Sequence, residues 1–166
     1  MCYYITIGIQ KNSVDVLKQE LSGNFAALPN KNISIAKHLS YNDLAYNIIV
    51  GMCSCGLYDK PQNYADEINK FRQKYESNGW SKKKIERALL EKFAIRNNQN
   101  ESLRRELGKC LYKIAARTGH ILLIVHWYTG SIETEVISIK GKVTKNREEV
   151  LNYAENIAED VIAEIL

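Results

Sequence analysis

The stretch Ile121-Leu122-Leu123-Ile124-Val125 is apolar at every position. A strand with two apolar faces has to be covered on both sides, so this stretch predicts a strand in the interior of a sheet. It is far too short to span a bilayer, which takes about 20 apolar residues. The segments before and after it therefore have to supply both the neighbouring strands and the covering layers.

The N-terminal part of the chain predicts further strands. Residues 3–9 alternate in period two, with Tyr3, Ile5, Ile7 and Ile9 on one face, which is typical of a strand. A helix follows, with Val14, Leu17 and Leu21 on one side. Two more strands are predicted at 33–36 and 45–50, separated by the turn residues 40–43.

The middle of the chain predicts three helices. The first runs near residues 64–78 and ends at Gly79, and the second begins at Ser81. The polar residues 97–100 predict a loop. The third helix places Leu103, Leu107, Leu111 and Ile114 on one side.

The C-terminal part predicts a hairpin strand and a last helix. Thr129-Gly130 suits a turn into a strand at 132–139, and a shift of the apolar phase near Val136 predicts a bulge. Asn146 with Glu149 three residues later forms a capping box for a helix whose apolar stripe extends to Ile165.

These elements follow one another in the order β-α-β-β-α-α-α-β-β-α. We predict a single α+β domain over residues 1–166, with a mostly antiparallel sheet of about five strands and helices packed on it. The opening run is compatible with a ferredoxin-like arrangement carrying extra helices. The length of 166 residues and the apolar fraction of 45% suit one ordinary core.

The cellular compartment follows from features at the N-terminus and from the cysteines. Residues 1–9 lack a basic region and a long apolar run, so we expect neither a signal peptide nor a membrane anchor, and a cytoplasmic protein. The four cysteines are expected to be reduced there, without a disulfide between Cys53 and Cys55.

Cys53 and Cys55 are the candidate metal ligands. They lie two residues apart after a predicted strand and between Gly51 and Gly56, so both thiols can point the same way. Tetrahedral zinc needs two further ligands. The candidates are all distant in sequence: Cys2, Cys110, His38, His120 and His126. The alternative is that both cysteines are small buried apolar residues.

The charge distribution is uneven. Residues 60–117 carry fifteen basic and seven acidic side chains, whereas residues 131–166 carry four basic and eight acidic ones. Like charges recur at four-residue steps, a spacing at which they repel. The predicted anion-binding residues in the basic region of about 82–117 are Lys83, Arg87, Arg105, Lys109 and Lys113.

The basic region leaves three interpretations open. It can bind an anionic partner, namely nucleic acid, a nucleotide or an acidic protein. It can be an ordinary solvated helical face. It can also be neutralised by the acidic last helix, within the fold or across a homodimer.

The functional prediction is a non-catalytic binding module that uses the basic region against an anionic partner. The alternative is a thiol or zinc protein centred on Cys53 and Cys55, with no other cofactor expected. No dinucleotide, phosphate-loop or serine-hydrolase motif occurs, and whether the protein is an enzyme is left open. His126 to Tyr128 end the central strand, where a site can form, although aromatic residues at a core edge are the commoner explanation.

Four short motifs carry a resemblance to a known group of proteins. They are residues 1–6 (MCYYIT), 53–56 (CSCG), 79–85 (GWSKKKI) and 126–130 (HWYTG). With these the chain resembles a group of small bacterial proteins of unknown function that pairs a Tyr-rich first strand with a Cys-x-Cys-Gly loop. The resemblance implies a bacterial origin and brings no reaction or ligand. The chain departs from the group's pattern at Ser54 and Leu57.

Overall fold

The computed structural model describes residues 2–21, 23–58 and 61–166, and for residues 61–64 and 95–98 it describes the backbone alone. The strands are β1 (Cys2–Gln10), β2 (Ala26–Pro29), β3 (Asp43–Ile49), β4 (Ile121–Tyr128), β5 (Gly141–Lys145) and β6 (Val161–Ile165). The α-helices are α1 (Val14–Glu20), α2 (Ile33–Ala36), α3 (Pro61–Ser77), α4 (Lys82–Thr118) and α5 (Tyr153–Asn156), and 3-10 helices cover Lys11–Ser13 and Arg147–Asn152. Within the described ranges, no helix has the length and apolar character needed to cross a membrane.

The six strands form one mixed sheet in the order β2-β3-β1-β4-β6-β5. Neighbouring strands are antiparallel except β5 and β6, which run parallel. The first four strands have the order and directions of a ferredoxin-like βαββαβ unit, with α1 in one crossover and α3 and α4 in the other. The predicted α+β class and mostly antiparallel sheet are confirmed, with six strands where about five were predicted.

Strands β1 and β4 lie in the middle of the sheet, where Ile5 is opposite Val125 and Ile7 is opposite Leu123. The odd-numbered residues of β4 from Ile121 to Val125 join a core that includes α1 and the C-terminal half of α4. Its even-numbered residues join a second core on the other face, against α2 and Ile137. The prediction that residues 121–125 form an interior strand is confirmed.

The chain divides into two compact units. The first comprises Met1–Tyr58 and Leu103–Leu166 and contains the sheet, while the second comprises Asp59–Ser102. In the second unit, α3 and the first part of α4 share a small apolar cluster around Phe71, Ile85 and Phe93. The assignment of the whole chain to a single domain stays a prediction.

The predicted strand at 33–36 is wrong, because these residues form helix α2. The side chain of Asn32 accepts hydrogen bonds from the backbone N–H groups of Ser34 and Ile35 and so caps the helix. The same side chain donates to the carbonyls of Ile132 and Glu135, which fixes the helix against a distant segment. The second strand lies earlier, at Ala26–Pro29.

The C-terminal predictions are corrected in two places. Residues 132–139 are not a strand, so the bulge at Val136 does not exist, and the edge strand is β5 instead. The capping box of Asn146 and Glu149 is confirmed, but it begins a 3-10 helix. The helical segment ends at Asn156, and β6 continues the sheet because its apolar residues pair with β4.

The predicted loop at 97–100 is also wrong, since the backbone of α4 is helical through it. Asparagine lowers helix stability by less than about 0.7 kcal/mol per residue relative to alanine. Packing at both ends outweighs that cost, with Leu89 and Phe93 buried on one side and Leu107 and Leu111 on the other.

Candidate metal centre

Three cysteines converge at one end of the sheet. Cys2 begins β1, and Cys53 and Cys55 lie in the loop that follows β3. Their sulfur atoms all lie within 4.8 Å of one another, and all three side chains are partly buried. The sequence predicted Cys53 and Cys55 as metal ligands and Cys2 as one of several candidates for a further ligand. The structure brings these three cysteines together.

The other candidate ligands lie elsewhere. Cys110 is on α4, where it packs at the edge of the main core. His120 is 3.1 Å from Glu164, and His126 faces two carboxylates. Among the described residues, the group of metal-ligating side chains at this site contains the three cysteines and none of the histidines.

Ser54 holds the cysteine loop against β1. Its backbone N–H donates to the carbonyl of Tyr3 at 2.9 Å, and its hydroxyl oxygen accepts from the N–H of Ile5 at 3.0 Å. The hydroxyl also donates to the carbonyl of Ile48. Ser54 therefore takes the place of a strand residue beside the end of β1, and the cysteines on either side of it are fixed relative to Cys2.

The two ends of the loop are anchored as well. Gly51 adopts a φ of 68°, which other residues rarely adopt, and the N–H of Val50 donates to the carbonyl of Cys53. After the cysteines, Leu57 is fully buried and its carbonyl accepts from the hydroxyl of Tyr153 at 2.8 Å. The loop is thus rigidly supported, which favours a preformed binding site.

Burial and the hydrogen bond with the Cys53 side chain raise the pKa of the Cys55 thiol to about 12. The backbone N–H of Tyr3, which donates to the Cys55 sulfur at 3.3 Å, acts in the opposite direction. A bound cation reverses this balance, because a metal that coordinates a thiol deprotonates it.

Tyr4 links the tip of the loop to the sheet. Its hydroxyl donates to the carbonyl of Met52 at 3.0 Å, and its ring packs edge-on against Tyr128 with centroids 5.5 Å apart. Burial, followed by the charges of the three cysteine sulfurs, raises the pKa of Tyr4. The hydroxyl is therefore within electrostatic range of all three thiols.

The arrangement suits a thiolate-bound cation. In tetrahedral zinc sites with Zn–S bonds of about 2.3 Å, neighbouring sulfurs lie about 3.8 Å apart. The three thiols, which lie within 4.8 Å of one another, are close to that spacing. The partial exposure of the three side chains leaves a route from solvent.

The predicted anion-binding residues are divided between the two units. Lys83 and Arg87 are in the second unit, where Arg87 pairs with Glu91 at 3.1 Å. Arg105, Lys109 and Lys113 are exposed on α4 in the first unit. Whether these side chains bind an anion stays a prediction.

Three acidic residues of the C-terminal segment pair with lysines of the same segment. Glu149 contacts Lys145, Asp160 contacts Lys140, and Glu164 contacts Lys142, at 2.8, 2.8 and 3.0 Å. On α4, Lys113 and Arg117 pair instead with Glu20 of α1, at 3.9 and 2.7 Å. The acidic partner of α4 in these pairs thus comes from α1.

A second polar cluster surrounds His126, and sequence reasoning missed its acidic members. Asp160 Oδ1 lies 2.5 Å from Nδ1 of His126, and Glu135 Oε1 lies 3.4 Å from Nε2. Glu135 also accepts from the backbone N–H groups of Thr129 and Gly130. Both ring nitrogens have a carboxylate neighbour, so the cluster connects the segments around Glu135 and Asp160 to the end of β4.

No protein-family model matches the chain, and neither a curated protein nor a solved structure is matched by it. The function is accordingly inferred from the geometry of the site itself.

Proposed function

We propose that this protein binds a thiophilic metal ion through Cys2, Cys53 and Cys55, with zinc as the cation suggested by the sequence. The observation that carries the proposal is the convergence of three thiols from two separate elements to within 4.8 Å. Buried cysteines usually serve as small apolar residues, but these three are partly exposed and arranged around a common point. A reducing cytoplasm would keep them available as ligands.

The support around the thiols strengthens the proposal. The backbone and hydroxyl of Ser54 bond to β1 on the same loop segment that carries both Cys53 and Cys55. A site whose ligands are fixed before binding loses less conformational entropy when the ion arrives. Metal binding to such a site also stabilises the folded chain by mass action.

Titration with Co²⁺ under anaerobic, reducing conditions tests the proposal, because thiolate ligation produces sulfur-to-cobalt charge-transfer absorption. We expect stoichiometric binding, displacement of cobalt by zinc, and a higher Tm in the presence of zinc. Replacement of Cys2, Cys53 or Cys55 by Ser should weaken the absorption and the binding. Cys110→Ser is the matched control, since Cys110 is a partly buried thiol outside the group.

Two outcomes would contradict the proposal. One is a protein that takes up neither cobalt nor zinc while all four thiols titrate as reduced. The other is binding that survives all three replacements and is lost in Cys110→Ser. Circular dichroism of each variant separates loss of binding from loss of fold.

A second candidate function is the binding of an anionic partner by α4. Arg105, Lys109 and Lys113 are exposed and follow one another at four-residue steps, so they lie along one side of the helix. Their positive charges would attract an anion to that side of the helix. The single observation that favours anion binding is the exposed row of Arg105, Lys109 and Lys113.

Replacement of all three residues by Gln preserves helix propensity and tests this candidate. We expect weaker binding to single- or double-stranded nucleic acid and a flatter dependence of affinity on salt. Lys18→Gln, on the exposed side of α1, is the control. Wild-type protein without salt-sensitive binding would exclude nucleic acid and leave an acidic protein as the partner.

A further inference from the structure

We infer that the ion bound at this site is monovalent copper, held by three thiolates. A zinc ion in the same site would lack the fourth protein ligand of a structural zinc site. The inference rests on the proposed metal-binding function and specifies its ligand. It follows from the kind of donor atoms present, from their number, and from what surrounds them.

The donor atoms are all sulfur. The group consists of Cys2, Cys53 and Cys55, and within the described part of the chain no carboxylate or imidazole belongs to it. Soft thiolate and thioether ligands select Cu(I) and Zn²⁺, whereas oxygen ligands suit Mg²⁺, Ca²⁺ and Mn²⁺. The donor set therefore narrows the choice to soft or borderline cations.

The number of sulfur donors distinguishes Cu(I) from Zn²⁺. Structural zinc sites are almost always four-coordinate with four protein ligands, whereas catalytic zinc sites use three protein ligands and a water. Monovalent copper forms stable three-coordinate complexes with three thiolates in a plane. The site has three cysteines. Zinc in the same site would have to take its fourth ligand from solvent.

His126, an imidazole on the face of the sheet that Cys2 occupies, is already engaged. Tyr4 is opposite His126 in the β1–β4 register, and Cys2 is opposite Tyr128, so these side chains share a face. His126 has Asp160 at 2.5 Å from Nδ1 and Glu135 at 3.4 Å from Nε2. It would have to give up a carboxylate contact to become a fourth ligand for zinc.

The residue before Cys53 also has a soft donor atom. Met52, which directly precedes Cys53, is 88% exposed, and its backbone carbonyl is held by the hydroxyl of Tyr4. Its thioether, like the three thiols, is a soft sulfur donor. It carries no charge and so contributes little to the capture of a divalent ion.

The test uses the full-length protein, fully reduced and kept anaerobic. Cu(I) is supplied as its complex with the chromophoric chelator bathocuproine disulfonate, and zinc as the sulfate in a parallel titration. Copper-edge X-ray absorption should show three sulfur ligands, and zinc-edge absorption should show three sulfurs and a light atom. Cys2→Ser should convert copper to two-coordinate and lower its affinity by more than roughly tenfold, since even the loss of an outer-shell partner costs about 10–100-fold. Cys110→Ser should change neither the coordination number of copper nor its affinity.

Several outcomes would overturn the inference. Copper bound by two sulfurs in the wild-type protein would show that the three thiolates do not hold it together, and a copper affinity unchanged in Cys2→Ser would show that Cys2 is not a ligand. Zinc bound by four protein ligands would show that the site is complete for zinc. These results differ from a failure of the proposed function, in which the protein would take up neither ion in the parallel titrations.

Discussion

The side-chain oxygen of Ser54 accepts a hydrogen bond from the backbone N–H of Ile5 at 3.0 Å. This bond joins the residue between the two loop cysteines to the strand that begins with Cys2. It is buried, and the same hydroxyl donates to the carbonyl of Ile48. The position of the thiols therefore depends on a serine that carries no ligand atom.

Replacement of Ser54 by Ala should destabilise the protein and weaken metal binding together. The N–H of Ile5 would lose its acceptor in a buried environment, which costs about 1–3 kcal/mol. Urea unfolding measures the free energy, and cobalt titration measures the affinity. Ser77→Ala is the control, because the Ser77 hydroxyl is exposed and its loss should cost less than about 0.5 kcal/mol. Equal stability of the two variants would contradict the assigned role of Ser54.

Tyr4→Phe should lower metal affinity while the fold stays intact. The phenyl ring keeps its contact with Tyr128, but the bond to the carbonyl of Met52 is lost and the tip of the loop is less constrained. We expect an affinity loss of roughly tenfold, in the range seen for outer-shell partners. Tyr41→Phe, at a residue that is 92% exposed, is the control. An affinity equal to that of the control would show that Tyr4 does not position the loop.

Gly108→Ala should destabilise the first unit. Gly108 is buried on α4, and a Cβ placed on it would collide with the backbone carbonyl of Leu151. Alanine gains about 1 kcal/mol of helix propensity over glycine, but overpacking costs about 1–3 kcal/mol and here the obstacle is backbone. A lower Tm than that of wild type is expected. Gly141→Ala, where a Cβ meets nothing within 4 Å, is the control, and a higher Tm for Gly108→Ala would refute the close contact.

Acidification should weaken the contacts around His126. Burial tends to raise the pKa of Asp160, but the hydrogen bonds from Lys140 and His126 outweigh it and hold the pKa below its usual value. A carboxyl group whose pKa is lower in the folded state stabilises the protein at pH values above its unfolded-state pKa of about 3.9. That contribution is lost as the pH falls through the folded-state pKa. Stability should therefore decline as the pH falls below about 4.

Asp160→Asn tests this contribution. Asp160 has a φ of 61°, which Asn tolerates, so the replacement removes the charge without added backbone strain. We expect the variant to be less stable than wild type at pH 7 and the difference to shrink at pH 3. Glu133→Gln, an exposed carboxylate in the segment that also carries Glu135, should show no such trend. A difference that stays constant with pH would point to lost packing rather than lost charge.

Several features could be predicted from the sequence because they depend on local patterns. The alternation in residues 3–9 and the apolar stretch 121–125 each match one secondary structure, and both strands are where they were predicted. The capping box of Asn146 and Glu149 uses residues three apart and needs no distant partner.

The remaining features depended on contacts between distant segments. Residues 33–36 and 161–165 are short, mostly apolar segments that suit either a helix or a strand. Distant partners determined which one forms, since Asn32 bonds to residues 132 and 135 and β6 pairs with β4. Cys2 became the third member of the site because the antiparallel pairing of β1 with β3 brings the start of one strand beside the end of the other. The sequence by itself determined which side chains could act as ligands, whereas only the tertiary structure decided which of them meet, because proximity across the chain depends on strand register and not on local spacing.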